Sequence, residues 1–135
     1  MLSASCVTPW SKTVMFIKAK SEVHMKLAEQ ACKPVQAGTA PLSHEETEEL
    51  LREIPQWSLS EKSIQRESHF KDFRQAMDFV NNVASIANDQ DHHPDIFISY
   101  NKVRLILSTH KIGGLSLNDF IMAAKIDLLT VQRTP

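Results

Sequence analysis

The chain has 135 residues, 42% of them apolar, and a formal net charge of −1 at pH 7. Length and composition indicate one small globular domain, and the charge provides no cationic surface of the kind that binds nucleic acid or anionic membranes. No apolar run reaches membrane-spanning length, and none of the three glycines belongs to a phosphate-binding motif.

Residues 1–24 differ in composition from the rest of the chain. They contain no acidic residue before Glu22, and their apolar patch at residues 14–17 is too short for a secretory signal. Two interpretations stay open: an organelle transit peptide, or an N-terminal extension upstream of a true start at Met25. We therefore expect a cytoplasmic protein, or a mitochondrial or plastid protein if residues 1–24 are a transit peptide.

Residues 25–41, called the arm below, carry two prolines and a glycine and predict irregular structure. The arm's Cys32 is far from Cys6, and the two form no CxxC pair, which fits a reducing compartment better than a disulfide framework. The folded domain is expected over residues 42–131.

The folded domain is predicted to begin with a short acidic helix and two strands. Ser43 and Glu46 have capping-box spacing, and Pro55 ends the helix. Residues 57–59 and 64–70 then predict strands around a polar turn. The buried side of the helix is expected to comprise Leu50, Leu51 and Ile54.

Residues 72–88 give the clearest helical signal, because apolar side chains recur there at helical spacing. Polar residues 89–91 close the helix, and Pro94 keeps His93 out of the α region. The predicted apolar face comprises Phe73, Ala76, Met77, Val80, Val83, Ala84 and Ala87.

Residues 96–100 and 103–107 alternate in polarity and predict a β-hairpin with a turn at residues 101–102. The paired apolar residues share one face, which we expect to pack against the helices. Extending this register places His93 opposite His110, with Cβ atoms roughly 5 Å apart. The predicted pairs are Tyr100 with Val103, Ile98 with Leu105, and Ile96 with Leu107.

Ser116 is the predicted N-cap of a last helix. The order helix, strand, strand, helix, strand, strand, helix predicts an α+β fold, a four-stranded antiparallel sheet with three helices packed on one face. The apolar side of the last helix is expected to comprise Leu117, Phe120, Ile121, Ala124 and Leu128.

Three histidines are predicted to meet at the open end of the hairpin, close to Asp119. Histidine titrates in the physiological range, so such a cluster suits proton transfer. His92, His93, His110 and Asp119 could equally supply a zinc-type ligand set, although their spacing is not that of a compact metal motif. A polar sheet edge with incidental imidazoles is the third interpretation. Residue chemistry alone leaves all three open.

The motifs around these histidines closely resemble the pterin-4a-carbinolamine dehydratases over roughly residues 42–130. The resemblance implies a hydro-lyase that converts 4a-hydroxytetrahydrobiopterin to quinonoid dihydropterin and water, without a metal or other cofactor. It also implies a homodimer or homotetramer that regenerates tetrahydrobiopterin for an aromatic amino-acid hydroxylase pathway. The motifs are Asp91-His92-His93-Pro94-Asp95, Tyr100-Asn101-Lys102-Val103, Ser108-Thr109-His110 and Gly114-Leu115-Ser116-x-x-Asp119.

The resemblance carries the family's three site histidines onto His92, His93 and His110, and its acidic residue onto Asp119. Because dehydration needs one proton donor and one acceptor, our hypothesis gives these roles to His92 and His110, with His93 mainly holding the pterin. Many members have a glutamate four residues before the first histidine, where this chain has Asn88, so any role of that glutamate is in doubt. Substrate binding or orientation is expected of Asp91, Thr109, Gly114 and Asp119.

A non-catalytic function follows from the same resemblance. Some members resemble dimerisation cofactors that bind a helical segment of a transcription factor. Such binding needs an exposed apolar patch, whereas catalysis needs the intact histidine set that this chain has. Catalysis is therefore the preferred hypothesis.

Overall fold

The computed structural model describes residues 27–132, so the prediction for residues 1–24 lies outside the described residues. The elements are α1 (His44–Leu51), β1 (Ser58–Ser60), β2 (Ser63–His69), α2 (Phe73–Gln90), β3 (Asp95–Ser99), β4 (Lys102–Leu107), a 3₁₀ turn (His110–Ile112) and α3 (Leu117–Gln132). The four strands form one antiparallel sheet in the order β1-β2-β4-β3, which confirms the predicted α+β fold.

Helix α1 begins at the predicted capping box. The Ser43 hydroxyl accepts a hydrogen bond from the backbone N–H of Glu46 at 3.1 Å, and the Glu46 carboxylate accepts one from the Ser43 N–H at 2.9 Å. The helix ends at Leu51, earlier than predicted, and single turns continue the chain to the fully buried Ile54. Capping therefore determines where this helix starts. Burial of Ile54 in the core holds the position of residues 52–54, which follow the helix.

The core lies between one face of the sheet and the helices. The predicted helical faces are correct at some positions and wrong at others. Phe73 is 49% exposed where burial was expected, and Phe79 is fully buried in its place. In α3, Leu117 and Leu128 are exposed, whereas Met122 and Ile126 are buried. Between residues 27 and 132, none of the helices combines the length and apolar character needed to cross a membrane.

The β3–β4 register differs from the prediction by two residues. Ile98 pairs with Val103 and Ile96 with Leu105, so residues 100–101 form the turn. A shift of two preserves side-chain parity, which is why the predicted inward face of β4 is nevertheless buried. The predicted alignment of His93 with His110 is wrong, because it depends on the other register.

Tertiary contacts of the turn explain this register. Asn101 donates its side-chain amide to the backbone carbonyl of Phe70 at 2.9 Å and accepts the Phe70 N–H on its own carbonyl at 2.8 Å. Tyr100 adopts the left-handed conformation, with φ of 53°, and stacks on Phe73. Asn101 is therefore held beside the β2–α2 connection, which places the turn one residue earlier than Asn101-Lys102.

The arm packs against the domain along α3. Leu27 is buried in the core, and the Lys125 ammonium group donates to the carbonyl of Ala28 at 2.6 Å. Directly after the arm, Leu42 donates its backbone N–H to the carbonyl of Leu115 at 2.9 Å. Residues 27–29 of the arm form a helical turn, and tertiary contacts fix the position of the segment that follows.

A side chain at Gly114 is predicted to clash with Pro41 of the arm. A Cβ atom at this position would lie 2.8 Å from Cβ and 3.1 Å from Cγ of Pro41. We expect Gly114→Ala to lower the free energy of unfolding by about 1–3 kcal/mol, as overpacking typically does, measured by urea denaturation. The same substitution in a Pro41→Gly background should cost much less. Equal losses in the two backgrounds would show that the Pro41 contact is not the cause.

Candidate active site

A cavity of about 370 Å³ lies where the C-terminal end of α2, the end of β4 and the start of α3 meet the arm. Its walls are residues 32–35, 90–93 and 108–111, together with Asn118. This volume falls within the range typical of small-molecule sites, about 300–1,000 Å³. The cavity is therefore large enough for a compact bicyclic substrate.

The three predicted histidines all line this cavity. Helix α2 ends at Asp91, which adopts the left-handed conformation with φ of 54°. The chain then turns sharply, so that His92 and His93 enter the cavity from the helix end. His110 enters from the opposite side, as the first residue of the 3₁₀ turn after β4. The predicted convergence thus occurs, although by a different strand register.

Asp119 lies fully buried behind His92. One carboxylate oxygen is 2.6 Å from Nε2 of His92. The other accepts the Thr109 hydroxyl at 2.9 Å and the Ser116 backbone N–H at 3.0 Å. The Ser116 hydroxyl in turn pairs with that of Thr109 at 2.7 Å, so Ser116 does not cap the helix through its side chain as predicted. Hydrogen bonds from these three donors offset the free-energy cost of burying the Asp119 carboxylate.

The Asp119 contact determines which nitrogen of His92 is available for chemistry. An acceptor carboxylate at Nε2 fixes the hydrogen on that atom and leaves Nδ1 as the ring acceptor. Among the described residues, Nδ1 of His92 has no hydrogen-bond partner. This arrangement suits a general base, because a buried carboxylate stabilises the imidazolium that proton uptake creates.

His93 and His110 are less constrained. Nε2 of His93 lies 3.0 Å from the side-chain oxygen of Asn88, so this amide contacts a histidine of the site. No described residue forms a hydrogen bond with the His110 ring, which is exposed. His110 is therefore the histidine most able to follow a substrate atom.

The structure differs from the prediction at Asp91 and at Gly114, two residues expected to orient an imidazole or the substrate. No hydrogen bond joins the Asp91 side chain to an imidazole within residues 27–132, because the left-handed cap leaves Asp91 exposed at the corner after α2. Thr109 and Gly114 pair their backbone groups with each other at 2.9 and 3.4 Å. Thr109 therefore supports the site through Asp119, and Gly114 lies outside the lining of this cavity.

The cavity wall provided by residues 32–35 and by Asn118 was not predicted from the sequence. Their contacts join positions 85 residues apart, and no local periodicity reveals such pairs. The available signal was Asn118 beside Asp119, two polar residues that directly precede the apolar run of residues 120–124 in this helix. Burial also raises the pKa of the Cys32 thiol to about 11; nearby Lys125 opposes the shift and Asp119 adds to it. Cys32 is therefore a protonated wall residue at neutral pH.

The zinc-type alternative requires a group of ligand side chains. Within residues 27–132, no three His, Cys, Asp or Glu side chains are grouped so that they could hold a metal ion. His92 directs Nε2 at Asp119 instead of sharing a ligand position with it. The described geometry favours hydrogen bonding between these two residues.

Comparisons with known proteins give a consistent result. Residues 40–129 match the family model described as Pterin 4 alpha carbinolamine dehydratase. Relatives from Nitrosomonas eutropha and Nitrosospira multiformis carry provisional pterin-4-alpha-carbinolamine dehydratase names. The first is 48% identical, over 78% of this chain and 95% of the relative. The second is 50% identical, over 76% and 91%. A crystal structure from Brucella melitensis, titled transcriptional coactivator/pterin dehydratase, is 35% identical with a TM-score of 0.64, covering 66% of this chain and 97% of that one.

Proposed function

Since this chain belongs to the pterin-4a-carbinolamine dehydratase family, we propose that it dehydrates 4a-hydroxytetrahydrobiopterin to quinonoid dihydropterin and water. The observation that carries the proposal is the pairing of His92 with the fully buried Asp119, at the wall of a cavity that His93 and His110 also line. This arrangement provides a fixed proton acceptor and a mobile proton donor in one small site.

The proposed reaction needs two proton transfers. The C4a–O bond breaks, and its oxygen leaves as water after gaining a proton, while N5 loses a proton and forms the double bond to C4a. His92 accepts the N5 proton on Nδ1, and Asp119 stabilises the resulting imidazolium. His110 donates the proton to the leaving oxygen. His93, held by Asn88, contacts the pterin.

A carbinolamine dehydration assay on the full chain tests this proposal. We expect turnover above the uncatalysed rate, since general acid–base catalysis typically contributes about 10²–10⁴-fold. A protein that binds a pterin but does not accelerate dehydration would refute it.

Metal removal separates this mechanism from the zinc-type alternative. We expect the rate to be unchanged after treatment with a chelator, because the proposed proton transfers use only histidine side chains. The measurement pairs metal analysis of active protein with the rate before and after chelation. A stoichiometric metal whose removal abolishes the rate would support the zinc-type alternative instead.

Assembly into a homodimer or homotetramer is part of the proposal. Phe97 and Ile98, on opposite faces of the edge strand β3, are both exposed, and so is Tyr100 in the adjoining turn. Exposed apolar side chains at a sheet edge suit association with a second copy or with a helical partner segment. Light scattering during size exclusion measures the assembly. Retained binding of a transcription-factor helix without pterin turnover would favour the dimerisation-cofactor function.

The biological setting also stays a proposal. Tetrahydrobiopterin regeneration for an aromatic amino-acid hydroxylase would place the protein in the cytoplasm, or in an organelle if residues 1–24 are removed on import. The domain boundaries, with an extension over 1–24, the arm over 25–41 and the dehydratase-like domain over 42–131, are predictions of the same kind. Sequencing the N-terminus of the mature protein tests the first boundary.

A further inference from the structure

The arm contributes a wall of the cavity through residues 32–35. None of these residues takes part in the proposed proton transfers. The backbone of the arm is held there by two side chains. The amide oxygen of Gln90 accepts the Cys32 N–H at 2.8 Å. Asn118 accepts the Lys33 N–H at 3.0 Å and donates its own amide to the Lys33 carbonyl at 2.6 Å. Asn118 thus satisfies both backbone groups of one residue, as a neighbouring strand would.

The Asn118 contact is a buried one. Asn118 is only 8% exposed, and its backbone carbonyl also accepts the Cys32 thiol at 3.7 Å. Loss of the side-chain amide would leave two backbone groups of the arm unpaired at a partly buried site, which is costly. Leu27 and Lys125 anchor the arm further upstream, so loss of Asn118 should release the wall without detaching the whole arm.

We propose that residues 32–35 form part of the pterin-binding site, and that Asn118 is a positioning residue that sets substrate affinity through them. The inference rests on the proposed function and extends it to a segment outside the histidine cluster. Asn118 and Asp119 are neighbours in the first turn of α3 with separate tasks. Asp119 orients His92, and Asn118 orients the wall. Substrate affinity and proton transfer should therefore respond to different substitutions.

Steady-state kinetics of Asn118→Ala in the full chain provide the first test. We expect KM for the carbinolamine to rise about tenfold, the equivalent of roughly 1.4 kcal/mol, with little change in kcat. Asn118→Asp keeps the acceptor for Lys33 but loses the donor, so its KM should lie between the two. Asn82→Ala, at an exposed position on α2, is the matched control and should leave both constants unchanged.

Cys32 provides a second measurement that does not require turnover. In a Cys6→Ser background, Cys32 is the one remaining cysteine, and its half-buried thiol should react slowly with a disulfide reagent. Asn118→Ala should accelerate this reaction because it loosens the wall. Binding of 7,8-dihydrobiopterin, used as a non-reactive pterin, should slow it in the parent protein.

The two measurements separate this inference from the proposed function. Protection of Cys32 by 7,8-dihydrobiopterin without carbinolamine turnover would refute the dehydratase proposal and support the arm as a pterin wall. Normal turnover with no protection of Cys32 would overturn the inference alone. An Asn118→Ala protein with a faster thiol reaction and an unchanged KM would also overturn it. So would an unchanged thiol rate, since Asn118 would then not hold the arm.

Discussion

Replacing His110 by alanine is expected to lower kcat for carbinolamine dehydration by about 10²–10⁴-fold, the usual contribution of one general acid or base. His92→Ala should have an effect of the same size, because the proposed mechanism gives each histidine one of the two protons. KM should change less than kcat in both variants, since the proposed proton transfers take place in the transition state. Steady-state kinetics with the carbinolamine measure both constants.

Two further variants sharpen this prediction. His69→Ala removes an exposed histidine on β2 whose hydrogen-bond partner is Glu67, and should retain wild-type kinetics. The double variant of His92 and His110 should lose little more than either single variant, because residues that act as a unit are strongly non-additive. Near-wild-type rates in both single variants would contradict the assignment.

The histidine cluster could be predicted from the sequence because strong local signals surround it. Alternating residues predicted the strands of the hairpin, and Pro94 predicted the break after α2. The hairpin register failed, since it depends on contacts between Asn101 and Phe70, 31 residues apart in the chain. The three histidines nevertheless lie together as predicted, because both registers bring the open end of the hairpin to the same end of α2.

The helical faces show a similar limit of sequence patterns. Phe73 and Phe79 both fit a helical spacing in α2, yet Phe79 is fully buried and Phe73 stacks on the exposed Tyr100. Helix α3 is buried on all sides over residues 120–124, because the sheet, α2 and the arm surround it. A periodicity assigns one apolar side to a helix and cannot show how many neighbours cover it.

The arm and its Asn118 contact lay beyond prediction for a different reason. Hydrogen bonds between a side-chain amide and an irregular backbone produce no repeating pattern in the sequence. Asp91 illustrates the converse error, because its position beside two histidines suggested an orienting carboxylate. The left-handed conformation at Asp91 makes it a helix cap instead, and the buried Asp119, 27 residues further along than His92, supplies the carboxylate.

Asp119→Asn is expected to lower kcat by about 10²–10⁴-fold, since the variant keeps the side-chain shape but reverses a hydrogen bond. The amide oxygen would accept from Thr109 and Ser116, so the amide NH₂ would face Nε2 of His92. Nε2 would then become the acceptor, and Nδ1 would carry the hydrogen. The nitrogen proposed as the base would no longer accept a proton from the substrate.

The same substitution also tests whether a changed tautomer of His92 causes the lower kcat. Nitrogen NMR of the His92 ring should show the hydrogen moved from Nε2 to Nδ1. The free energy of unfolding should fall by about 1–3 kcal/mol, because neutral hydrogen bonds of the amide replace the charge-assisted ones of the carboxylate. Asp78→Asn, at an exposed position on α2, is the matched control and should change neither quantity. A low kcat with the wild-type tautomer would show that Asp119 acts through its charge alone. An unchanged kcat would remove the basis for His92 as the proton acceptor, because the buried carboxylate is what distinguishes this imidazole from His93 and His110.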